Sequence, residues 1–213
     1  MSGLNNIKLY YFGQLNGKTT FGRGEYIRLF LKDAGVDFEY VRCSFEEWGA
    51  QKQKLSAQGV LKPTMPYITI DGKYYGKTAP IMRFISKKLG KYQGKDEDEA
   101  QLVDAYADSL LDDIFRWVAA SFGGIEQLTK KYNNTDRPQS LQSYEQVLGG
   151  NQGPYLLGEE VSYADFLLYH YLEDDGFVFE ASDLKSTHPH LATFIEAIQS
   201  RPNLKKYLAT DRK

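Results

Sequence analysis

The spacing of apolar residues predicts alternating strands and a helix near the amino terminus. The apolar and aromatic run from Ile7 to Phe12 predicts a β-strand. Between Arg23 and Ala34 the apolar residues recur at intervals of three and four, which predicts an amphipathic helix that ends at Gly35. The stretch from Asp37 to Cys43 predicts a second strand. The stripe that this helix would bury consists of Tyr26, Ile27, Phe30 and Leu31.

A second group of short elements follows the dipeptide Met65-Pro66. Proline is tolerated at the first residue of a strand, where a ladder donor can be spared, so Tyr67 to Ile70 is predicted to be a strand. Asp71-Gly72 is typical of a tight hairpin turn, and Lys73 to Gly76 would be the returning strand. The segment from Thr78 to Leu89 then predicts an amphipathic helix, which the following glycine ends.

The order of these elements is β-α-β followed by β-β-α, which predicts a small mixed sheet with helices packed on it. The polar stretch 44–62 between the two groups contains Trp48 and is assigned no element. The charged, glycine-containing segment 91–99 predicts a domain boundary. We therefore expect one domain over residues 1–90 and a second over 91–213.

The second half of the chain is predicted to be entirely helical. Apolar residues repeat at intervals of three and four from Leu102 to Trp117, which predicts one long helix. Ser162 followed three residues later by Asp165 predicts a helix start, and the nearly all-apolar residues after it predict a buried helix. A last helix is predicted from Pro189 to Ser200, ending at the next dipeptide, Arg201-Pro202.

Composition and charge exclude several classes of function. The chain has 213 residues, of which 42% are hydrophobic and 25% charged, so it can bury a substantial core. The net charge of −2 gives no basic surface for nucleic acid or an anionic membrane, and no apolar run could span a bilayer. Cys43 is the single cysteine, and no secretion signal is visible at the amino terminus. We expect a cytoplasmic protein without an internal disulfide.

The segment around Met65-Pro66 has two interpretations. If this peptide bond is cis, the Met65 main chain turns outward, and an extended peptide could pair with it as an added strand. Thr78 would cap the following helix, whose N–H groups could bind a carboxylate. One short segment would then hold both ends of a small peptide. The alternative is an edge hairpin followed by a helix, without a binding role.

Several motifs together resemble the cytosolic glutathione S-transferases, over nearly the whole chain. Lys8 to Phe12 followed by Gly22 to Leu29 is similar to the Tyr-Phe and Arg-Gly-Arg-x-x-x-Ile-Arg elements of the tyrosine-type classes, and a sigma-like protein fits best. The resemblance implies a thioredoxin-like amino-terminal domain followed by an all-helical domain. The other motifs, in family order, are Trp48 with Lys52, Met65-Pro66, Thr78-x-x-Ile81-x-Arg83, Leu157-Gly158 with Ser162 to Phe166, His188 to Phe194, and Arg201 to Leu204.

Three features depart from the family pattern. The connection from Gly13 to Phe21 is unusually long and would reshape the mouth of the site. Lys77-Thr78 stands where Gln-Ser is usual, so the hydroxyl is kept while a cation replaces an amide. Arg23 is a single arginine where the family often has two.

Tyr11 is the catalytic residue that the resemblance implies. A thiol adds to an electrophile as its thiolate, whereas a free cysteine has a pKa of about 8.5. Lowering that pKa by about two units corresponds to about 2.7 kcal/mol of stabilisation of the anion. A phenol hydroxyl donating to the sulfur, with a helix dipole beside it, could supply this. Tyr10 is the rival, and because adjacent strand residues face opposite sides, only one of the two can serve.

The resemblance also implies the residues that bind glutathione. Trp48 and Lys52 would reach its glycyl end, although a tryptophan packed on a loop beside a solvated lysine is equally compatible with the sequence. Asp112 would meet the γ-glutamyl amine across a homodimer interface, or else belong to a solvated acidic face with Asp104 and Asp108. The complete predicted set is Tyr11, Trp48, Lys52, Met65, Pro66, Lys77, Thr78 and Asp112.

The electrophile would bind in an apolar pocket that includes Phe12, Val118 and Phe122. We expect no metal and no cofactor, with glutathione as co-substrate and a small hydrophobic electrophile as its partner. The resemblance thus implies a homodimeric transferase of the detoxification type. A glutathione-dependent isomerase or peroxidase, or a non-catalytic binding or structural protein on the same fold, remains open.

Overall fold

A computed structural model describes residues 4–15, 18–19, 21–176, 184–210 and 212. The chain divides into two compact units, Met1–Gly90 with Arg201–Lys213, and Lys91–Ser200. The sequence-based division assigned residues 201–213 to the helical half, whereas the structure groups them with the amino-terminal residues. The reason is a set of ion pairs and hydrogen bonds between this segment and the first helix.

The described residues of the first unit form a four-stranded mixed sheet. Its strands are β1 (Ile7–Phe12), β4 (Phe38–Cys43), β5 (Tyr67–Ile70) and β6 (Lys73–Gly76), in the spatial order β4-β1-β5-β6. Strand β1 runs parallel to β4 and antiparallel to β5. Between β1 and the first helix, β2 (Gln14–Leu15) and β3 (Lys18–Thr19) form a small antiparallel pair. The predicted hairpin of β5 and β6 is present. Of its two strands, β6 lies at the sheet edge and β5 lies between β1 and β6.

The helices predicted from the spacing of apolar residues are all present in chain order, and the structure adds others whose bounds were not predicted. Those of the first unit are α1 (Gly22–Asp33), α2 (Phe45–Ala57), α3 (Thr78–Leu89) and α10 (Pro202–Leu208). Those of the second are α4 (Glu97–Phe122), α5 (Glu126–Lys131), a π-helical turn (Tyr132–Asp136), α6 (Arg137–Gly150), α7 (Tyr163–Asp174), α8 (Leu184–Thr187) and α9 (Pro189–Ser200).

Helices α2 and α10 were not predicted from the sequence. Leu55 is the buried residue of α2, so this helix has no apolar stripe that a periodicity could reveal. Its start was nevertheless encoded, because Ser44 and Glu47 form a capping box. Pro202 was interpreted as the end of the preceding helix, whereas it occupies the first turn of α10, where its missing N–H is not needed.

Buried apolar side chains define the core of each unit. The predicted stripe of α1 is fully buried, with Tyr26, Ile27, Phe30 and Leu31 at 0% exposure. In the second unit, α7 is buried on nearly all sides, as predicted. Asp165 caps it: one carboxylate oxygen accepts the Leu156 N–H at 2.9 Å, and the other accepts the N–H and hydroxyl of Ser162, each at 2.7 Å. Asp165 is therefore held by structural hydrogen bonds, in agreement with the sequence.

Candidate active site

Tyr11 lies on the face of β1 that packs against α1. Ile7, Leu9 and Tyr11 are buried, whereas the residues between them are exposed or half-buried, so β1 has one covered face. The exposed fraction of Tyr11 is 5%. A β-carbon at position 22 would stand 2.6 Å from the Tyr11 Oη, and one at position 24 would stand 2.7 Å from its Cγ. The phenol thus rests directly on the first turn of α1, and glycine at both positions permits this close approach.

The start of α1 places a positive dipole end beside the Tyr11 hydroxyl. The helix begins at Gly22, and the preceding residue, Phe21, offers no side-chain capping hydrogen bond. The first N–H groups of a helix carry a partial positive charge, which favours an anion nearby. Gly22 and Gly24 belong to a motif that the sequence analysis identified, but their close packing against the Tyr11 phenol was not predicted. The signal was available, since two glycines at a helix start indicate close backbone approach.

Tyr40 and two arginines extend this cluster behind Tyr11. A β-carbon at position 24 would also stand 2.8 Å from the Tyr40 Oη. The guanidinium carbons of Arg28 and Arg42 lie 4.7 Å and 4.9 Å from the centroid of the Tyr40 ring. Burial raises the pKa of Tyr40 to about 12, against the lowering influence of both arginines. Tyr40 is therefore neutral near pH 7, beside two arginines whose positive charge is opposed by the Glu25 carboxylate.

Tyr10 points to the opposite side of β1. It is half-buried, and its ring stacks on Tyr67 with centroids 4.4 Å apart. It lines a cavity of about 560 Å³ together with α2 residues such as Gln51 and Leu55. The lining of this cavity contains none of the residues that the sequence predicted to bind glutathione. The two tyrosines thus lie in separate environments on opposite sides of β1. The choice of Tyr11 over Tyr10 as the thiol partner remains a prediction.

Helix α2 carries Trp48 and Lys52 on one side, one turn apart. Trp48 is half-buried, with its ring centroid 5.9 Å from that of Tyr67, whereas Lys52 is exposed. Residues four apart share a helix face, so the two can approach one ligand together. The packing of Trp48 on Tyr67 is also compatible with a structural role.

The Met65–Pro66 peptide bond is cis, which meets the condition on which the binding interpretation of this segment depended. Pro66 is buried and immediately precedes β5, while Met65 is half-buried. Strand β5 lies between β1 and β6, so the main chain at Met65 enters the middle of the sheet. This arrangement is compatible with a peptide-binding role for Met65, which remains a prediction.

Thr78 is the first residue of α3, and the prediction that its hydroxyl caps this helix is wrong. The N-cap residue is Lys77, whose side chain makes no capping hydrogen bond. The physical reason is the backbone of Lys77, which has φ 71° and ψ 130° and turns sharply into the helix. Ile81 donates to the Lys77 carbonyl at 3.0 Å, and Pro80 has no N–H. The N–H groups of Thr78 and Ala79 thus remain outside the intrahelical ladder.

The remaining predicted residues lie on α4, except Phe12. Asp112 is exposed, Val118 is half-buried, and Phe122 has an exposed fraction of 57%. Phe12 is half-buried in the first unit, and its ring stacks on the 60%-exposed Phe45 at a centroid distance of 4.7 Å. In the predicted 13–21 connection, residues 16, 17 and 20 lie outside the described residues. The pocket expected from Phe12, Val118 and Phe122 therefore stays a prediction.

The described ranges contain neither a membrane-spanning helix nor a metal-binding cluster. None of the helices in the described ranges is both long and apolar enough to cross a bilayer. Within the same ranges, histidine, cysteine, aspartate and glutamate side chains do not gather in groups of three that could hold a metal ion.

Comparison with known proteins identifies the family. Residues 111–211 match the model of the glutathione S-transferase carboxy-terminal domain. The chain is 32% identical over 203 residues to glutathione S-transferase P 10 of Caenorhabditis elegans, covering 94% of this chain and 90% of that protein. The chain belongs to the glutathione S-transferase family. It is also 34% identical to glutathione S-transferase 3 of Gallus gallus, over 96% of this chain and 86% of that protein.

Solved structures of glutathione S-transferases share this fold. The enzyme from Ascaris lumbricoides superposes with a TM-score of 0.78 at 27% identity, covering 98% of this chain and 98% of that one. The predicted glutathione S-transferase fold, with a thioredoxin-like sheet domain and a helical domain, is thereby confirmed. The assignment to the tyrosine-type, sigma-like class is a finer statement that these similarities leave as a prediction.

Proposed function

We propose that this chain is a glutathione transferase that adds the glutathione sulfur, as a thiolate, to small apolar electrophiles. The observation that carries the proposal is the position of the Tyr11 phenol on the first turn of α1. A hydroxyl donor and a helix amino terminus both favour a neighbouring anion. The tyrosine-type mechanism is thus supported by geometry and by family membership.

Glutathione would bind along the first unit in an extended conformation. Trp48 and Lys52 hold its glycyl carboxylate, and the main chain of Met65, shaped by Pro66, pairs with the cysteinyl residue. The γ-glutamyl carboxylate lies at the start of α3, where the N–H groups of Thr78 and Ala79 and the Lys77 ammonium favour an anion. Asp112 of a second subunit accepts from the γ-glutamyl amine, so we infer a homodimer, which sedimentation analysis tests.

The electrophile would lie against Phe12, Val118 and Phe122. Exposed or half-buried aromatic and apolar side chains suit a small hydrophobic molecule. Catalysis would come from positioning the two reactants and stabilising the thiolate, without a metal or cofactor. We place the protein in the cytoplasm, where glutathione is available and Cys43 stays reduced.

A second candidate is a glutathione-binding protein without transferase activity. The observation that favours it is the 5% exposure of Tyr11, which leaves little of the phenol for a sulfur to approach. Calorimetry with glutathione separates the outcomes. Binding with turnover supports the enzyme, and binding without turnover supports the second candidate. Absence of binding contradicts both and favours a structural protein on the same fold. Assays with hydroperoxides and endoperoxides separate conjugation from peroxidase or isomerase activity.

The decisive experiment compares Tyr11→Phe with the matched control Tyr10→Phe. A hydrogen bond to a charged group contributes about 1.5–3 kcal/mol, so its loss would raise the pKa of the bound thiol by about one to two units. We therefore expect Tyr11→Phe to lower kcat/KM by about tenfold to a hundredfold below that pKa. Tyr10→Phe should leave the pH profile unchanged. An unaltered profile in Tyr11→Phe, or the same shift in Tyr10→Phe, contradicts the assignment.

A further inference from the structure

Glu25, in the first turn of α1, is the centre of a buried ionic cluster. It is fully buried, and its carboxylate accepts the Tyr207 hydroxyl at 2.7 Å and an Arg212 N–H at 3.1 Å. Its other oxygen accepts an Arg28 N–H at 3.4 Å. Burial, and then Glu25, raise the pKa of Tyr207, so this hydroxyl remains the donor. Residues 207 and 212 thus hold a side chain in the helix turn that seats Tyr11.

Arg212 holds the same turn at a second point. Its exposed fraction is 9%, and its guanidinium carbon lies 4.4 Å from the ring centroid of Phe21, the N-cap residue of α1. A guanidinium over an aromatic face at this distance is attractive, and more so when desolvated. The Arg212 carbonyl also accepts from Arg28 at 2.6 Å. One residue therefore contacts both ends of the segment from Phe21 to Glu25.

The segment between these two points is the wall against which the Tyr11 phenol lies. Gly22 and Gly24 face the Oη and the ring base of Tyr11 and have no side chains of their own to lock the turn. Phe21 supplies no capping hydrogen bond. The position of the turn therefore depends on its two end residues, Phe21 and Glu25, and Arg212 contacts both.

We propose that Arg212 and Tyr207 are positioning residues for the thiol site, because they hold the first turn of α1 against the Tyr11 phenol. This proposal rests on the proposed function. Both residues act through Glu25 and Phe21, and they touch neither glutathione nor the electrophile. They orient the helix terminus and the phenol towards the sulfur. Their loss should therefore change the pKa of the bound thiol and leave the affinity for glutathione unchanged.

The test is Arg212→Ala, with Arg212→Lys as the conservative variant. For Arg212→Ala we expect the pKa of bound glutathione to rise by about 0.3–0.7 unit, as when a helix-terminus contribution is lost. Below that pKa, kcat should fall about twofold to fivefold with the KM for glutathione unchanged. Arg212→Lys keeps a cation near Glu25 and Phe21 and should recover part of the shift. Tyr207→Phe should shift the pKa in the same direction.

The matched control is Arg201→Lys, at the opposite end of α1. Arg201 donates to both carboxylate oxygens of Asp33, at 2.6 Å and 2.7 Å, so its replacement should lower stability without moving the thiol pKa. Hydrogen exchange of residues 26–29, whose N–H groups bond to the carbonyls of the first turn in a regular helix, provides a readout independent of catalysis. It should be faster in Arg212→Ala and unchanged in Arg201→Lys. An unchanged thiol pKa in Arg212→Ala, or an equal shift in Arg201→Lys, overturns the inference.

Failure of this inference is distinguishable from failure of the proposed function. If Tyr11→Phe raises the thiol pKa and Arg212→Ala does not, Tyr11 is the thiol donor and the positioning role is wrong. If neither variant changes the thiol pKa, the Tyr11 mechanism itself is wrong, and the positioning proposal falls with it.

Discussion

Replacing Lys77 by glycine separates the backbone strain at the start of α3 from the binding of glutathione. With φ 71° and ψ 130°, Lys77 adopts a conformation that residues with a β-carbon disfavour. Such strain costs about 1–3 kcal/mol, and glycine removes it. Glycine also gains freedom in the unfolded chain, which offsets about 0.5–1 kcal/mol. The expected net result is an increase of about 0–2.5 kcal/mol in the free energy of unfolding.

The same substitution should weaken glutathione binding. Lys77 is exposed, so its ion pair with the γ-glutamyl carboxylate would contribute about 0.2–1 kcal/mol, or up to about fivefold in affinity, and less at high salt. Urea denaturation measures the first effect and calorimetry the second. Lys62→Gly is the matched control, because Lys62 is also exposed with a positive φ of 44°. Lys62→Gly should raise the free energy of unfolding without changing the affinity for glutathione. Lower stability of Lys77→Gly, or unaltered affinity for glutathione, would refute the reasoning.

Two other predictions concern helix caps. Asp165→Ala leaves the buried N–H groups of Leu156 and Ser162 without their acceptor, so the free energy of unfolding should fall by about 2–5 kcal/mol in urea denaturation. A loss below about 0.5 kcal/mol, the range of ordinary surface substitutions, contradicts it. At Ser44, the backbone N–H and then the hydroxyl hold the pKa of Glu47 below its usual value. That stabilisation is present above the ordinary carboxyl pKa and is lost as pH falls through the lowered value. Glu47→Gln, which removes the titrating group, should therefore flatten the acid limb of stability against pH, whereas Ser44→Ala keeps the backbone N–H and should flatten it only in part.

Periodic apolar spacing was sufficient to predict the elements that form the core. Helix α1 was predicted because its stripe is buried against the sheet, and α3 because its apolar positions recur with helical spacing. Helix α2 lacks such a stripe, since Leu55 is its buried residue, and it was left as a polar connection. A periodic apolar spacing therefore predicts which face of a helix is buried, and a helix without a buried stripe is not predicted by it.

The candidate site residues came from motifs and stay predictions, and their local geometry was not predictable from the sequence. The sequence left the isomer of the Met65-Pro66 bond as a condition, and the structure gives it as cis. The hydroxyl of Thr78 predicted a cap, and the backbone of Lys77 displaced that role, because a lysine at positive φ is not something that residue preference suggests. The contact of Glu25 with Tyr207 and Arg212 joins residues more than 180 positions apart, and no local pattern encodes it.

The chain leaves the first unit at Gly90 and returns to it at Arg201, so the helical unit is topologically an insertion. A fragment that stopped at residue 90 would lose the Arg201 partner of buried Asp33 and the Arg212 partner of buried Glu25, leaving Glu25 its longer contact with Arg28. A nick within the helical unit, by contrast, would leave both pieces of the first unit tied by the same ion pairs. Fragment complementation is therefore the form in which this domain could be reconstituted from separate polypeptides.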